Sequence, residues 1–319
     1  MKNPSCFTIS QIFKVFAIVA MFVSLTVQAE DDKHFKIFGN VHISIDDQDS
    51  VGNTEMHSNT STFGIQGGKK LKDKDLEVIF KLEWQYDADQ RQSVVDRDQW
   101  VGLKGDFGKV LIGTATSNYK QTSAQIDPLW RTQLEGRSAF MRTASRQLAA
   151  GAGDDRGRLT NSVNYTTPNY NGFEVMINRT FSGVANETTG VGVRHKTKDS
   201  LIFVDYFEDG DVLGVSQAAT KVGGYYKFAE WTISAQVESS EDIDGSNYSM
   251  LAVSYQVSDS DTLKFSFGEA DGLLQSSSAA ILYDWKLASD LNVYAGYGSK
   301  SDDLAADDDI LTFGIRYLF

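Results

Sequence analysis

The 319-residue chain contains a single cysteine, Cys6, and three prolines. Because Cys6 lies close to the N-terminus, the remainder of the chain can form neither a disulfide nor a thiolate metal site. Beyond the first 29 residues the only prolines are Pro128 and Pro168. Since proline cannot donate to a β-ladder, its scarcity favours long and uninterrupted strands.

Long apolar runs are also missing, with one exception near the N-terminus. Residues 1–29 contain Lys2 and Lys14, the run VFAIVAMFVSLTV and the site VQA, which together form the pattern of a secretory signal peptide cleaved after Ala29. A membrane anchor is the alternative, but the run is shorter than the roughly 20 residues that a spanning helix needs. The sequence therefore predicts an exported mature chain of residues 30–319.

The sequence offers no catalytic or metal-binding motif. Its four histidines lack the spacing of a metal site, and no serine occupies a nucleophile elbow. The net charge of −13 argues against nucleic acid as a partner. We therefore predict that the protein is not an enzyme and that it uses neither a cofactor nor a metal.

Apolar and polar residues alternate with a period of two in many segments. Examples are LEVIFKLEWQY at 76–86, WTISAQVE at 231–238, TLKFSFG at 262–268 and ILTFGIRYLF at 310–319. Such alternation is typical of strands with one apolar and one polar face. Because a soluble sandwich also alternates, the pattern alone leaves open whether the apolar face meets a packed core or lipid.

The connections between these segments alternate between short turns and longer polar loops, which is typical of an up-and-down barrel in the outer membrane. About sixteen candidate strands run from FKIFGNVHISI to ILTFGIRYLF. An even number closes an antiparallel barrel, and closure removes unpaired edges that hydrocarbon cannot solvate. We therefore predict an all-β, transmembrane, antiparallel up-and-down barrel of about 16 strands with a water-filled lumen.

Several landmarks in order resemble the general porins of the Gram-negative outer membrane, namely FKIFGNV, STFGIQGGKKL, RDQWVGLKGDFGKVLIG, NSVNYTTPNYNGF and the terminal Phe319. The resemblance implies a homotrimer of barrels in the cell outer membrane, through which small hydrophilic solutes and ions diffuse. It also implies outer-membrane lipid, lipopolysaccharide and the barrel assembly machinery as partners. Phe319 and Tyr317 would then form part of the assembly signal.

The same resemblance implies that the third external loop, residues 119–158, folds back into the lumen as a constriction. The loop carries seven basic and four acidic residues in an otherwise acidic chain. An exposed surface lid with locally paired charges is the alternative. The predicted loop residues at the constriction are the acids Asp127 and Glu135 and the arginines Arg131, Arg137, Arg142 and Arg146.

The predicted pore wall follows from strand parity and from the resemblance. Polar parity turns the charged side chains of several strands towards water in the lumen, whereas the parity of Arg97 is ambiguous and only the resemblance turns it inward. At three further positions where the family often has a basic residue, this chain has the uncharged residues Asn40, Thr62 and Gln66. The wall so predicted consists of Lys36, Lys81, Glu83, Arg97, Arg156, Arg158 and Arg316.

A basic loop that faces a partly acidic wall would reverse the usual polarity of the family. We therefore hypothesise a pore that is weakly selective or favours small anions. A channel specific for an oligosaccharide or an anion is the main alternative, but it would need aromatics along the lumen, where only Phe38 and Tyr294 have the required parity. A barrel that serves as an adhesin or an enzyme is a weaker alternative, because the chain has no passenger domain and no nucleophile.

Overall fold

The computed structural model describes residues 33–319, with the exception of 72–73, 91–93, 137–156, 182–186, 213–214, 241–245, 272–274 and 304. The predicted signal peptide at 1–29 lies outside the described residues. The same holds for Arg137, Arg142, Arg146 and Arg156 of the predicted constriction and wall.

Seventeen β-strands and one α-helix are found in the described part of the chain. The helix, α1, covers Asn118–Ile126, and no helix in that part is long and apolar enough to cross a membrane. The strands are β1 (Lys33–Gln48), β2 (Asn53–Ser58), β3 (Ser61–Lys70), β4 (Leu76–Tyr86), β5 (Val95–Gly105), β6 (Gly108–Thr116), β7 (Arg158–Thr166), β8 (Phe173–Thr180), β9 (Thr188–Lys196), β10 (Ser200–Val212), β11 (Val215–Phe228), β12 (Trp231–Ser240), β13 (Ser246–Gln256), β14 (Asp261–Asp271), β15 (Ser276–Ala288), β16 (Leu291–Asp302) and β17 (Ala305–Leu318).

The strands form one closed antiparallel barrel. Neighbours in the chain pair with each other, and β17 pairs with β1 so that Asn40 lies opposite Leu318. Both β2 and β3 lie beside β1 and share one position in the wall, interrupted at Asn59 and Thr60, where Thr60 has a positive φ of 62°. The wall therefore has sixteen strand positions, which confirms the predicted fold class.

The two faces of the barrel differ as the alternation predicts. In β14, for example, Phe265 is 44% exposed whereas the neighbouring Ser266 is 1% exposed. The same contrast separates Val237 from Gln236 in β12. Exposed apolar side chains on the outside of a closed barrel face lipid, so the polar face lines the interior.

A β-bulge in β5 determines where Arg97 points. Leu82 of β4 lies opposite Gln99, whereas Trp84 lies opposite Asp96, so that β5 contains one extra residue in this stretch. As a result Arg97 and Asp98 are both buried. The side chain of Arg97 thus lies on the polar face although Val101, which has the same parity, is exposed on the apolar face.

The last residue closes the barrel. Gly39 in β1 donates its N–H to the carbonyl of Phe319 at 2.9 Å, and Phe319 donates its N–H to the carbonyl of Gly39 at 3.0 Å. A side chain at position 39 would collide with the Phe319 ring and with the carbonyl oxygen of Thr62, which explains the glycine. On the apolar face, the exposed rings of Phe319 and Tyr317 stack with centroids 6.4 Å apart.

Deleting Phe319 is expected to lower the yield of folded barrel several-fold, because it removes both closing hydrogen bonds and a terminal aromatic of the apolar face. The yield can be measured as the heat-modifiable fraction on SDS gels, after refolding and in isolated outer membranes. Phe319→Leu retains the backbone pairing and an apolar side chain, and it is the matched control. Wild-type yield of the deletion variant would contradict a role of this residue in closure.

Candidate pore constriction

The chain leaves β6 through a capped helix that the sequence analysis did not predict. The Oγ atom of Ser117, which has an extended backbone, accepts a hydrogen bond from the N–H of Lys120 at 3.2 Å, as an N-cap residue does. At the other end the N–H of Asp127 donates to the carbonyl of Ser123. Helix α1 therefore forms the beginning of the predicted constriction loop.

Asp205 of β10 holds the first turn of the helix. One of its carboxylate oxygens accepts from the side-chain amide of Asn118 at 2.7 Å, and the other accepts from the hydroxyl of Thr122. The N–H of Asn118 donates to the amide oxygen of Asn178 in β8 at 2.8 Å. Since all these side chains are buried, the helix is fixed to the polar face of the barrel by satisfied hydrogen bonds.

Lys221 of β11 holds the helix from a second side. Its ammonium group, which is fully buried, donates to the carbonyl of Tyr119 and to the hydroxyl of Ser123, and it lies 4.0 Å from the centre of the Tyr119 ring. Lys221 is in register with Asp205, so the lysine and the carboxylate that bind the helix come from neighbouring strands. The hydroxyl of Ser234 in β12 donates to the carbonyl of Ile126 at 2.7 Å.

After the helix, the chain continues along the polar face by apolar contacts. Leu129 and Leu134 are buried with side chains of β15, β16 and β17. The amide of Gln133 donates to the side chain of Asn59, between β2 and β3, at 2.9 Å. The strand residues buried with Ile126 are Leu201, Phe203, Met250 and Ala252, and those buried with the two leucines are Ala280, Leu282, Tyr294 and Ile310.

Both predicted loop acids bind backbone groups of their own segment. The two carboxylate oxygens of Asp127 accept from the N–H of Leu129 at 2.8 Å and from the N–H of Gly136 at 2.9 Å. Glu135 accepts from the N–H of Arg131 at 2.8 Å. Because both acids are buried, these bonds stabilise the fold of the segment.

The polar face of β4 to β7 carries a chain of alternating charges. Glu83 accepts from Arg97 Nε at 2.7 Å and forms an ion pair with Lys81. Lys81 also binds Asp98 at 3.0 Å, and Asp98 binds Arg158 Nε at 3.1 Å. Each of the two acids, one of which is the predicted wall residue Glu83, is therefore shared between two cations.

Arg131 lies across from this charged chain. Among the described residues, no side chain forms a hydrogen bond or a salt bridge with its guanidinium group. Burial, followed by the like charges of Arg97 and Arg316, lowers the pKa of Arg131 to about 9. The group is therefore still protonated at neutral pH and adds a positive charge that no side chain of the described residues pairs in a salt bridge.

Two cavities meet at the arginines. One of about 280 Å³ lies between helix α1 and strands β4 to β7, and the other, of about 850 Å³, extends towards the long loops. Arg97, Arg131 and Arg158 line both. The charged residues of the smaller cavity are the basic Lys81, Arg97, Lys120, Arg131 and Arg158 and the acidic Glu83 and Asp98.

Two other predicted wall residues do not line these cavities. Lys36 is exposed near the short turns, where it lines a separate cavity with Glu77 and Lys109. Arg316 in β17 lies opposite His42 of β1. Within the described ranges, no three side chains of His, Cys, Asp or Glu are close enough together to hold a metal ion.

A closed sixteen-strand barrel with an apolar outer face defines an outer-membrane β-barrel protein. A sequence profile of Gram-negative porins matches residues 16–305. The chain belongs to this family, whose members are channels of the outer membrane, and the predicted family and location are thereby confirmed.

Curated relatives cover part of the chain. A monosaccharide porin from a Halomonas species is 29% identical over 177 residues, which are 51% of this chain and 45% of that protein. Outer membrane porin protein 32 of Delftia acidovorans is 30% identical over 175 residues, which are 52% of this chain and 47% of that protein. The chain thus spans about half the length of the curated relatives it matches.

Solved structures share the fold over nearly the whole chain. An anion-selective porin from Comamonas acidovorans has a TM-score of 0.79 and 20% identity, covering 90% of this chain and 100% of that one. The trimer form of OmpT, an outer membrane protein of Vibrio cholerae, has a TM-score of 0.73 and 15% identity, covering 91% of this chain and 100% of that one.

Proposed function

We propose that the protein is a diffusion channel for small hydrophilic solutes and ions, in which the loop at 119–158 folds into the lumen and narrows it. The observation that carries this proposal is the set of contacts made by residues 117–136. Helix α1 is bonded to polar-face residues of β8, β10, β11 and β12, and the following residues pack on β15 to β17. These contacts support a position of the segment on the inner face of the barrel.

The charges around the smaller cavity favour anions. Its five basic side chains outnumber the two acidic ones, and the loop acids Asp127 and Glu135 are bonded to backbone. In a narrow aqueous path with low-dielectric walls, such charges act together on a passing ion. Anion selectivity is also the property named for the structurally similar Comamonas acidovorans porin.

A channel with a specific solute is the second candidate. The aromatic ring of Trp130, in the segment after helix α1, lines the smaller cavity. Aromatic rings along the path of a solute are a feature of selective binding. One curated relative is named a monosaccharide porin.

The assembly follows from the outer face. We propose that three barrels associate through part of their exposed apolar surface, and that lipid and lipopolysaccharide cover the rest. A trimer is named for the structurally similar OmpT. The barrel assembly machinery would insert the chain, with Phe319 and Tyr317 as part of the signal.

Reconstitution of the refolded protein in planar bilayers tests the proposed function. Stepwise increases in conductance are expected, and in a KCl gradient the zero-current potential should have the sign of chloride preference. Folded protein, verified by its β-sheet circular dichroism and heat modifiability, that inserts without opening would contradict a diffusion channel. A cation-selective pore would contradict the proposed polarity alone.

A further inference from the structure

The cavity of about 280 Å³ between helix α1 and strands β4 to β7 combines three kinds of chemical group. It is lined by a flat indole ring from Trp130, by guanidinium groups including that of Arg131, and by the side-chain amides of Gln85, Gln121 and Gln125. Its volume is slightly smaller than the roughly 300–1,000 Å³ of typical small-molecule pockets. A solute with one ring therefore matches its size.

Trp130 offers a fixed apolar surface. On one side it packs against the buried cluster around Ile126 and Leu201, and on the other it lines the cavity. The backbone N–H of Trp130 donates to the carbonyl of Asp127 at 3.3 Å, and this bond fixes the backbone from which the ring projects. The C–H face of a pyranose ring packs well against an indole, whereas a hydrated inorganic ion or a flexible acyclic chain gains little from it.

Arg131 offers the anion-binding group. In this cavity Arg97 and Arg158 are bonded to Glu83 and Asp98, while the guanidinium of Arg131 has no such partner in the described part of the chain. Its planar fork fits the two oxygens of a carboxylate or a phosphate. The backbone of Arg131 has a positive φ of 67°, an unfavourable conformation for arginine that is frequent at functional sites.

The amides provide acceptors for hydroxyl groups. Gln121 and Gln125 are four residues apart on one face of helix α1, and their amide nitrogens donate to the carbonyls of Thr116 and Gln121, each at 3.0 Å. Among the described residues no donor is bonded to the two amide oxygens, which leaves them as acceptors on the cavity side. Sugar hydroxyls are donors of the matching kind.

We infer that this cavity is a binding site for an anionic monosaccharide, a pyranose that carries a carboxylate or a phosphate. The ring stacks on Trp130, the anionic group binds Arg131, and hydroxyls donate to Gln121 and Gln125. The inference rests on the proposed function, because the solute reaches the cavity through the channel. It adds to that function a preference for solutes that have both a pyranose ring and an anionic group. An anion-selective constriction alone would not have this preference.

The test compares how four solutes block the chloride current of the reconstituted wild-type channel. Glucuronate and glucose 6-phosphate have both a ring and an anionic group, whereas glucose has only the ring and gluconate only the carboxylate. The two cyclic anions are expected to half-block the current at concentrations about tenfold lower than either control, a difference of about 1.4 kcal/mol, because glucose lacks the group that binds Arg131 and gluconate lacks the ring that stacks on Trp130. The lower of the two concentrations identifies the preferred anionic group.

Two variants separate the contributions. Trp130→Leu should raise the half-blocking concentration of glucuronate to that of gluconate. Arg131→Gln should raise it to that of glucose. Trp231→Leu, on the exposed apolar face, is the control, and its half-blocking concentration for glucuronate should equal that of the wild type.

Equal block by glucuronate and gluconate in the wild-type channel would overturn the binding site, even if the channel is anion-selective. Unchanged block of folded Trp130→Leu by glucuronate would also overturn it. A folded protein that forms no channel would instead overturn the proposed function, and the site with it.

Discussion

Replacing Asp205 with alanine is expected to detach helix α1 from the barrel wall. The carboxylate is 1% exposed and accepts hydrogen bonds from Asn118 and Thr122, and its residue is in register with Lys221, whose buried charge interacts with it electrostatically. Removing it leaves the Asn118 amide and the Thr122 hydroxyl without their acceptor and takes an opposite charge away from buried Lys221, and such a loss costs about 3–5 kcal/mol. Limited proteolysis within residues 117–136 and the temperature of the heat-modifiable transition measure the effect.

Asp199→Ala is the matched control, because Asp199 is an exposed acid in the turn between β9 and β10. We expect Asp205→Ala to be cleaved faster and to show larger current fluctuations, while the control resembles the wild type. If Asp205→Ala keeps wild-type protease resistance and transition temperature, the anchor contributes nothing to holding the helix.

The period-two pattern predicted the barrel only together with the alternation of short turns and long loops and the even number of candidate strands. It was not sufficient where the inner face is covered. In β10, Leu201 and Phe203 are buried while Ile202 and Val204 are exposed, so both faces of this strand are apolar. The residues after β6 pack on this inner face, and a pattern based on polarity cannot distinguish such a strand face from one that meets lipid.

Strand parity could not predict which face of β5 carries the side chain of Arg97, for a different reason. The extra residue in β5 changes which side chains share a face, and the segment contains neither glycine nor proline at the bulge to indicate it. Counting back from Val101 and Leu103, both exposed on the apolar face, turns Arg97 outward. The resemblance to porins was the only signal in the sequence that turned it inward.

Charge alone also could not predict what the loop acids do. Asp127 and Glu135 are predicted to be acids of the constriction loop, and their carboxylates accept bonds from backbone N–H groups up to nine residues away. These bonds depend on the fold of the segment, including the positive φ of Arg131. The helix was missed because its first residues, after the N-cap Ser117, show no apolar periodicity.

Replacing Arg97, Arg131 and Arg158 together with glutamine is expected to convert an anion preference into a cation preference. The three arginines are the ones that line both cavities. Without them the smaller cavity retains two basic and two acidic charged residues, so its excess of positive charge disappears. The overall chain, with a net charge of −13, then determines the sign of the field along the path. At about 1 kcal/mol for each charge acting in water at 4 Å, the ratio of chloride to potassium permeability should fall at least about tenfold.

The zero-current potential in KCl gradients measures this ratio, and the salt dependence identifies where the charges act. Acidic groups on external loops are screened at high salt, where the Debye length is about 3 Å at 1 M, whereas charges in contact with the permeating ion are screened much less. The difference between wild type and variant should therefore persist at 1 M KCl. Arg179→Gln is the control, because Arg179 is exposed and paired with Glu187. An unchanged potential in the folded triple variant would show that the arginines at the junction of the two cavities lie outside the ion path, and that the positive charge of the segment has another use.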